Sequence, residues 1–220
     1  MKKVPEFTKE EQVKLNQMFD AWMENDLIKK TRNFRLLNQR VRPGSILFVG
    51  DSITEGYPLY EMFPFGYALY NRGISGETSK QLLENLQDQI IDLKPSKIFM
   101  LIGTNDIERE NHGHDVGKNI LDICQRIMEV IPEAKIHVLS IYPVNESANY
   151  KDMIGIRTNE KICEINQSIK QYIKNLNITY IDLYDVLAMN GHLIDEYTHD
   201  GLHLSIAGYQ IVTQELSKYL

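Results

Sequence analysis

Short runs of consecutive apolar residues recur along most of the chain, and each ends near a glycine, asparagine, proline or aspartate. The runs cover residues 46–49, 67–70, 98–102, 136–141 and 178–181. Unbroken hydrophobicity of this length is typical of strands that are covered on both faces, as in a parallel sheet. The pattern therefore predicts about five parallel strands.

Helical patterns separate these runs. Apolar residues recur three or four positions apart after the second, third and fourth runs and again before the C-terminus. They are Leu82, Leu83 and Leu86, then Val116, Ile120, Ile123 and Ile127, then Ile162, Ile165, Ile169 and Ile173, and finally Ile206, Tyr209, Ile211, Val212 and Leu216. Alternation of strands and helices implies right-handed crossovers. We therefore predict a three-layer α/β/α domain of the α/β class.

The N-terminal segment predicts a further helix. Thr8 followed by Glu11 forms a capping-box pattern, and the residues after it carry an apolar stripe. The stripe consists of Leu15, Met18, Phe19, Trp22 and Met23. Because the polar positions carry mixed charge, we expect this helix to pack on the body of the protein rather than on a membrane surface. Residues 32–42 follow as a basic connector that ends in the turn signal Pro43-Gly44.

Composition is that of an ordinary globular protein, with 43% hydrophobic and 25% charged residues in a chain of 220. No linker divides the chain, so we expect residues 1–44 to be a helix and connector packed on one domain, residues 45–220. The formal net charge of −6 argues against nucleic-acid binding. Cys124 and Cys163 lie far apart and lack CxxC spacing, so neither a disulfide framework nor a zinc site is indicated, and we expect both thiols to be buried.

The N-terminus lacks the pattern of a signal peptide, because residues 6–11 are mostly charged or polar where an apolar segment would be required. The sequence also has no run of roughly 18 apolar residues, the length needed to cross a bilayer. We therefore expect a cytoplasmic protein without stable membrane insertion.

Polar clusters follow the predicted strands at the ends where ligands bind in open parallel sheets. Residues 50–55, 71–78 and 103–106 follow the first three strands, and residues 200–203 precede the last helix. Side chains from these four clusters are therefore expected to meet in one site.

Ser52 is the candidate nucleophile, since it lies where a strand turns into a helix and where the helix dipole favours negative charge. A serine hydroxyl requires a neighbouring base, and Asp200-x-x-His203 provides an imidazole with a carboxylate to orient it. His199 could pair with Asp200 instead, and Ser75 is a second, weaker candidate nucleophile. A metal site built from Asp200 and the two nearby histidines lacks supporting ligands, so we expect no metal.

Gly76 and Asn105 are candidates for stabilising an oxyanion. A glycine lets the backbone N–H approach a tetrahedral intermediate closely, and an asparagine amide can donate a hydrogen bond from another side. Each is also common in loops, so the argument depends on their occurring together with the other clusters.

The four clusters together resemble the conserved blocks of the SGNH (GDSL) hydrolase family. The matching residues are Gly-Asp-Ser-Ile-Thr at 50–54, Asn71 with Gly76, Gly-Thr-Asn-Asp at 103–106, and Asp200 with His203. They occur in the family's order over residues 46–220. The resemblance implies a flavodoxin-like fold, ester hydrolysis through an acyl-enzyme, and no cofactor.

The same resemblance implies a role for each matched residue. Ser52 would be the nucleophile and would donate one backbone N–H to the oxyanion hole. Gly76 would donate a second N–H, and Asn105 would donate from its side chain. Asp200 would orient His203, which would be the base.

Within the family, the chain looks similar to the catalytic subunits of intracellular platelet-activating-factor acetylhydrolases and to related bacterial acylhydrolases. This likeness implies short acyl esters, acetyl above all, as substrates, and a homodimer in which the N-terminal segment contributes to the interface. The alternatives are a lysophospholipase or thioesterase, a carbohydrate O-deacetylase, and a catalytically silent flavodoxin-like binding module.

An aromatic-rich stretch follows the nucleophile and is a candidate wall for the substrate pocket. It contains Tyr57, Tyr60, Met62, Phe63 and Phe65, and we place Asp51 in the same pocket. Packing of this stretch on the body is an equally plausible alternative.

Overall fold

A sheet of five parallel strands forms the centre of the molecule. The strands are β1 (Ile46–Gly50), β2 (Leu69–Gly73), β3 (Lys97–Leu101), β4 (Lys135–Leu139) and β5 (Ile178–Ile181). Their order across the sheet is β2-β1-β3-β4-β5. The structure is a computed structural model that describes residues 7–63, 66–109 and 114–220. The predicted parallel sheet is confirmed.

Strand β2 begins and ends later than the apolar run predicts. The run covers residues 67–70, whereas the strand includes Asn71 and Arg72, which pair with Phe48 and Val49. Both polar side chains are accommodated by specific contacts. Asn71 donates to the carbonyl of Thr54, and the Arg72 guanidinium lies over an aromatic ring of the N-terminal helix, 4.7 Å from its centroid. A strand with partnered polar residues cannot be recognised by hydrophobicity alone.

Helices cover both faces of the sheet. They are α1 (Lys9–Leu37), α2 (Ser52–Glu55), α3 (Leu59–Met62), α4 (Ser79–Glu84), α5 (Leu86–Gln89), α6 (Thr104–Arg109), α7 (His114–Val130), α8 (Lys151–Ile154), α9 (Asn159–Ile173), α10 (Tyr184–Leu187) and α11 (Ile206–Leu216). A short ribbon comprises β6 (Ala188–Met189) and β7 (His192–Leu193). Apolar residues of α4, α5, α7 and α9 pack on one face, and those of α2, α3, α10 and α11 pack on the other. The three-layer α/β/α architecture is therefore confirmed.

The two cysteines differ in their surroundings. Cys124 on α7 is buried, as expected, but Cys163 on α9 is exposed, so the prediction for Cys163 is wrong. Cys163 lies next to Ile162, which is fully buried. Neighbouring positions on a helix point in directions about 100° apart, so a cysteine beside a core residue need not share its burial.

Helix α1 begins with the predicted capping box, in which Thr8 and Glu11 exchange hydrogen bonds. It continues to Leu37, through much of the segment predicted to be a connector. Its C-terminal half is held on the body by ion pairs from Arg35 to Asp88 and from Lys30 to Glu55. None of the described helices is long and apolar enough to cross a membrane.

The apolar stripe of α1 does not pack on the body as predicted. Among its residues Met23 is buried, whereas Leu15, Met18, Phe19 and Trp22 are 44–63% exposed. Burial begins at Met23, and every residue from 7 to 22 is exposed. The sequence pattern identified an apolar face correctly, but in about half of the helix that face is left largely exposed to solvent.

Candidate active site

Four of the predicted site residues line one cleft. Ser52, Gly76, Asn105 and His203 come from the segments after β1, β2 and β3 and from the segment before α11. The cleft has a volume of about 1300 Å³, with α1 along one side and residues of the α8–α9 region along another. The structure thus brings together side chains that are up to 151 positions apart in sequence.

Ser52, His203 and Asp200 form a continuous chain of hydrogen bonds. The Ser52 Oγ lies 2.9 Å from His203 Nε2, and His203 Nδ1 lies 2.8 Å from Asp200 Oδ2. With Asp200 ionised, Nδ1 carries the ring hydrogen, so Nε2 is left as an acceptor for the serine proton. This arrangement can activate a hydroxyl as a nucleophile.

The turn around Asp200 fixes this geometry. Asp200 Oδ1 accepts the backbone N–H groups of Leu202 and His203, at 3.0 Å and 2.8 Å. Thr198 Oγ1 accepts the N–H of Gly201 and donates to the carbonyl of His203. Burial by itself would raise the pKa of Asp200, but hydrogen bonds from His203 and Leu202 outweigh it and hold that pKa below its ordinary value. Asp200 is therefore kept ionised beside the imidazole.

The alternative site residues are placed differently. His199 is exposed, and the ring that contacts Ser52 Oγ belongs to His203. The hydroxyl of Ser75 donates to Glu55 Oε2 at 2.7 Å. Among the described residues, no group of three or more His, Cys, Asp or Glu side chains is arranged to hold a metal ion.

Gly76 and Gly73 have different structural roles in the loop after β2. Gly76 has φ +74°, a conformation that favours glycine, and it lines the cleft. A Cβ atom on Gly73 would lie 2.2 Å from the backbone nitrogen of Glu55, so Gly73 allows α2 to approach β2. Glu55 also accepts the N–H and the hydroxyl of Ser75, both at 2.7 Å, and so anchors the residue next to Gly76.

Asn105 lies at the start of α6 and is buried, with its side-chain nitrogen donating to the carbonyl of Glu77 at 3.1 Å. The next residue, Asp106, accepts the N–H of Ser79 at 3.0 Å and also accepts its hydroxyl. These contacts tie the third polar cluster to the second, which carries Gly76. Asp106, the last residue of Gly-Thr-Asn-Asp, thus has a structural role that the motif alone does not indicate.

Arg157 is a residue near the site that the sequence analysis missed. Its guanidinium is buried and donates to Asn105 Oδ1 at 3.0 Å. Arg157 lies in the connection between α8 and α9, away from the strand ends that carry the four polar clusters. A single arginine in a helix connection carries no motif that could have identified it.

The predicted aromatic wall is wrong for the residues that the structure describes. Tyr57 and Phe63 are buried in the core, and the Tyr57 ring stacks on that of Tyr209 with centroids 4.8 Å apart. Tyr60 is exposed, and its hydroxyl donates to the carbonyl of Leu69. Tyr57 and Phe63 instead follow the alternative, in which this stretch packs on the body. Phe65 lies outside the residues that the structure describes.

Asp51 is also not part of the cleft wall, contrary to the prediction. It is 1% exposed, and its Oδ1 accepts the N–H of Ile53 at 3.0 Å, so it caps the N-terminus of α2. Burial raises the pKa of Asp51 to about 7. Its side chain therefore supports the turn that presents Ser52.

The walls of the cleft are formed instead by residues distant from Ser52 in sequence. Helix α1 contributes the apolar residues Phe19, Trp22, Met23, Leu27 and Ile28. The α8–α9 region contributes Asp152, Met153 and Arg157. Helix α1, which precedes all four of the matched sequence blocks, thus borders the site.

Proteins of known name and structure resemble this chain over most of its length. A solved structure from Streptococcus pneumoniae, provisionally described as a platelet activating factor, superposes with a TM-score of 0.90 at 38% identity, covering 94% of this chain and 98% of that one. Platelet-activating factor acetylhydrolase IB subunit alpha2 of Rattus norvegicus is 29% identical over 208 residues, 91% of this chain and 84% of that protein. Acetylxylan esterase of Geobacillus stearothermophilus is 25% identical over 205 residues, 77% of this chain and 90% of that protein.

A family model agrees with these likenesses and with the four blocks identified in the sequence. The model of the GDSL-like lipase/acylhydrolase family matches residues 48–211, which include Ser52, Gly76, Asn105, Asp200 and His203. The resemblance expected from the sequence is confirmed, and the chain belongs to the GDSL-like lipase/acylhydrolase family.

Proposed function

We propose that the protein is a serine ester hydrolase with Ser52 as nucleophile, His203 as general base and Asp200 as the residue that orients His203. The observation that carries this proposal is the hydrogen-bonded chain from Ser52 Oγ through the imidazole to the Asp200 carboxylate, at 2.9 and 2.8 Å. Family membership indicates hydrolase activity and supports the same conclusion. The chemistry requires no metal or organic cofactor.

In this mechanism, His203 Nε2 takes the proton of Ser52 as Oγ attacks the ester carbonyl carbon. The resulting oxyanion accepts hydrogen bonds from the N–H groups of Ser52 and Gly76 and from the Asn105 amide. When the intermediate collapses, the bond to the alcohol breaks and His203 donates its proton to the leaving oxygen. Water then attacks the acyl-enzyme by the same route, releasing the carboxylic acid and restoring Ser52.

Covalent labelling distinguishes this enzyme from a binding module with the same fold. A fluorophosphonate probe is expected to modify the protein at Ser52, as located by mass spectrometry of the labelled peptide. Ser52→Ala should abolish labelling, whereas the control Ser217→Ala, at the C-terminal end of α11, should retain it. A wild-type protein that binds the probe without forming an adduct would contradict the proposal and favour the binding module.

We propose further that the acyl group is short, with acetyl preferred, and that most of the cleft holds the alcohol part of the ester. Two relatives are named as an acetylhydrolase and an acetylxylan esterase, which supports acetyl transfer to water. A cleft of about 1300 Å³ is far larger than an acetyl group and leaves room for a sizeable leaving group. The wall residues Met23, Leu27 and Ile28 favour an alcohol with an apolar portion over a carbohydrate.

A series of p-nitrophenyl esters tests the acyl preference. The value of kcat/KM is expected to be highest for acetate and to fall as the acyl chain lengthens. A maximum at eight carbons or more would contradict the acetyl preference and favour a lysophospholipase or thioesterase. Comparing an acetylated long-chain alcohol with an acetylated sugar then tests the alcohol, and preference for the sugar ester would favour the O-deacetylase.

We also propose that the protein forms a homodimer through the outer stripe of α1, defined as Leu15, Met18, Phe19 and Trp22. These residues recur at helical spacing on a part of α1 whose residues are all exposed. A contiguous apolar stripe of this kind is costly in water, and an unsupported helix of four turns is marginally stable. A two-fold axis across the stripe would cover it with the same stripe of a second copy.

A further inference from the structure

A buried arginine lies next to the side chain of Asn105. Arg157 follows a turn in which Gly155 has φ +58°, and it precedes Thr158, whose side chain caps α9. The arginine is 7% exposed and belongs to the cleft lining. Burial of an arginine costs free energy unless its N–H donors have hydrogen-bond partners, so the partners indicate what holds the guanidinium in place.

The guanidinium is held by several hydrogen bonds. Nε donates to the carbonyl of Thr104 at 3.0 Å, and Nη1 donates to the carbonyl of Ile154 at 3.2 Å. Nη1 also donates to Oε2 of Glu108 on α6 at 3.1 Å, so that the two side chains form an ion pair. Nη2 donates to Asn105 Oδ1 at 3.0 Å. Bonds to two backbone carbonyls fix the plane of the guanidinium, so its contact with Asn105 is rigidly oriented.

These contacts determine which way the Asn105 amide faces. A guanidinium has donors only, so the atom of Asn105 beside Arg157 must be the oxygen. The amide nitrogen then faces the carbonyl of Glu77, to which it donates at 3.1 Å. A flipped amide would place nitrogen against the guanidinium and oxygen against the Glu77 carbonyl, losing both bonds.

The amide nitrogen carries two hydrogens, and the carbonyl of Glu77 uses one of them. The second hydrogen is free to point toward a ligand in the cleft, which Asn105 lines. A positive charge bonded to the amide oxygen also polarises the amide and makes its N–H a stronger donor. Arg157 thus both orients the amide and strengthens the bond that it can offer.

We propose that Arg157 is a positioning residue that holds the Asn105 amide with its N–H toward the oxyanion. This inference rests on the proposed ester hydrolysis and adds to it a residue that does not itself touch the substrate's reacting atoms. If this inference holds, substitution of Arg157 acts through Asn105. The substitution then destabilises the transition state more than the enzyme–substrate complex.

The test is a double-mutant cycle with Asn105, measured with p-nitrophenyl acetate. Arg157→Met is expected to lower kcat by about ten- to a hundredfold with little change in KM, since loss of an entire oxyanion donor costs about 10²–10³. In an Asn105→Ala background, the same substitution should lower kcat by less than about threefold. Arg157→Lys, which keeps the charge but not the planar fork, should fall between wild type and Arg157→Met.

Arg126→Met is the control, because Arg126 is exposed on α7 and does not line the cleft. Thermal unfolding of each variant separates loss of folding from loss of orientation. If Arg157→Met and Arg157→Lys do not fold, Arg157 is structural and the inference is overturned. Equal effects of Arg157→Met in the wild-type and Asn105→Ala backgrounds would also overturn it, while leaving the Ser52 mechanism intact. If Asn105→Ala leaves kcat unchanged, no donor requires positioning and the inference again fails.

Discussion

In the proposed mechanism Ser52, His203 and Asp200 have unequal roles, and their surroundings explain why. The serine and the imidazole both exchange a proton during the proposed reaction, so neither has a substitute. Asp200 only orients and stabilises the imidazole, and the backbone of the same turn is also held by Thr198, which bonds to Gly201 and His203. Removal of Asp200 therefore leaves some of the geometry in place.

The expected effects of substitution follow this division. Ser52→Ala and His203→Ala should each lower kcat by on the order of 10⁴–10⁶ while the protein remains folded. Asp200→Ala should cost roughly ten- to a hundredfold less than either. Steady-state kinetics with an acetyl ester, with circular dichroism as the folding control, provides the measurement. Retention of a tenth of the activity by Ser52→Ala or His203→Ala would rule out the assignment.

Short motifs explain why the proximity of these three residues could be predicted from the sequence, whereas the position of Arg157 could not. Asp200 and His203 are three positions apart in one turn, so their contact is local, and Ser52 follows an obvious strand. The bond between Arg157 and Asn105 joins residues 52 positions apart in sequence. Such a contact depends on how α8 and α9 are placed against α6, which no local pattern encodes.

At the scale of elements, helix α1 shows what amphipathic spacing can and cannot predict. The periodicity located the helix and its apolar face, because both depend on local sequence. It could not show how far the body extends beneath the helix, and so the burial of Trp22 and Phe19 was predicted wrongly. Strand β2 shows the converse case, since Arg72 is buried in a strand that hydrophobicity alone would end too early.

The outer stripe of α1 yields a prediction about assembly. At micromolar concentration the protein should elute as a dimer in size-exclusion chromatography with light scattering. Trp22 is the single tryptophan of the chain and lies in the stripe, so its fluorescence emission should shift to longer wavelength on dilution as the dimer dissociates.

Met18→Asp should weaken this dimer, because it places an unpaired charge in an apolar interface. Val13→Asp is the matched control, since Val13 is also exposed on α1 but lies outside the outer stripe. A wild-type protein that is monomeric at tens of micromolar would contradict the proposed assembly. Equal weakening by the two substitutions would contradict the proposed contact surface.

For the molecule as a whole, two buried carboxyl groups connect stability to pH. Burial raises the pKa of Asp51 to about 7 and raises that of Glu77 well above its ordinary value. An unfolded aspartate loses its proton near pH 4, whereas folded Asp51 keeps it until about pH 7. Between these values the folded state binds more protons, so rising pH favours unfolding.

The free energy of unfolding should therefore fall as pH rises from 5 to 8. A pKa difference of about three units for Asp51 corresponds to about 4 kcal/mol over the whole range from pH 4 to pH 7, of which about 3 kcal/mol falls above pH 5. Asp51→Asn, which can still cap α2, should reduce this fall, while Glu77 continues to contribute. Urea unfolding at the two pH values measures the effect. Exposed Glu129→Gln is the control and should keep the wild-type dependence; an unchanged dependence in Asp51→Asn would contradict the argument.

Glu55 forms an ion pair with Lys30 of α1 and also accepts the N–H of Ser75, so it connects α1 to the loop that carries Gly76. This connection matters when the chain is shortened. A fragment that begins at residue 45, just before β1, would retain every group that takes part in the proposed chemistry. It would nevertheless lack Lys30, whose ammonium group pairs with the carboxylate of Glu55. That carboxylate accepts the backbone N–H of Ser75, the residue before Gly76. Such a truncation would loosen the proposed reaction centre from outside, so the N-terminal helix belongs in any minimal version of the protein.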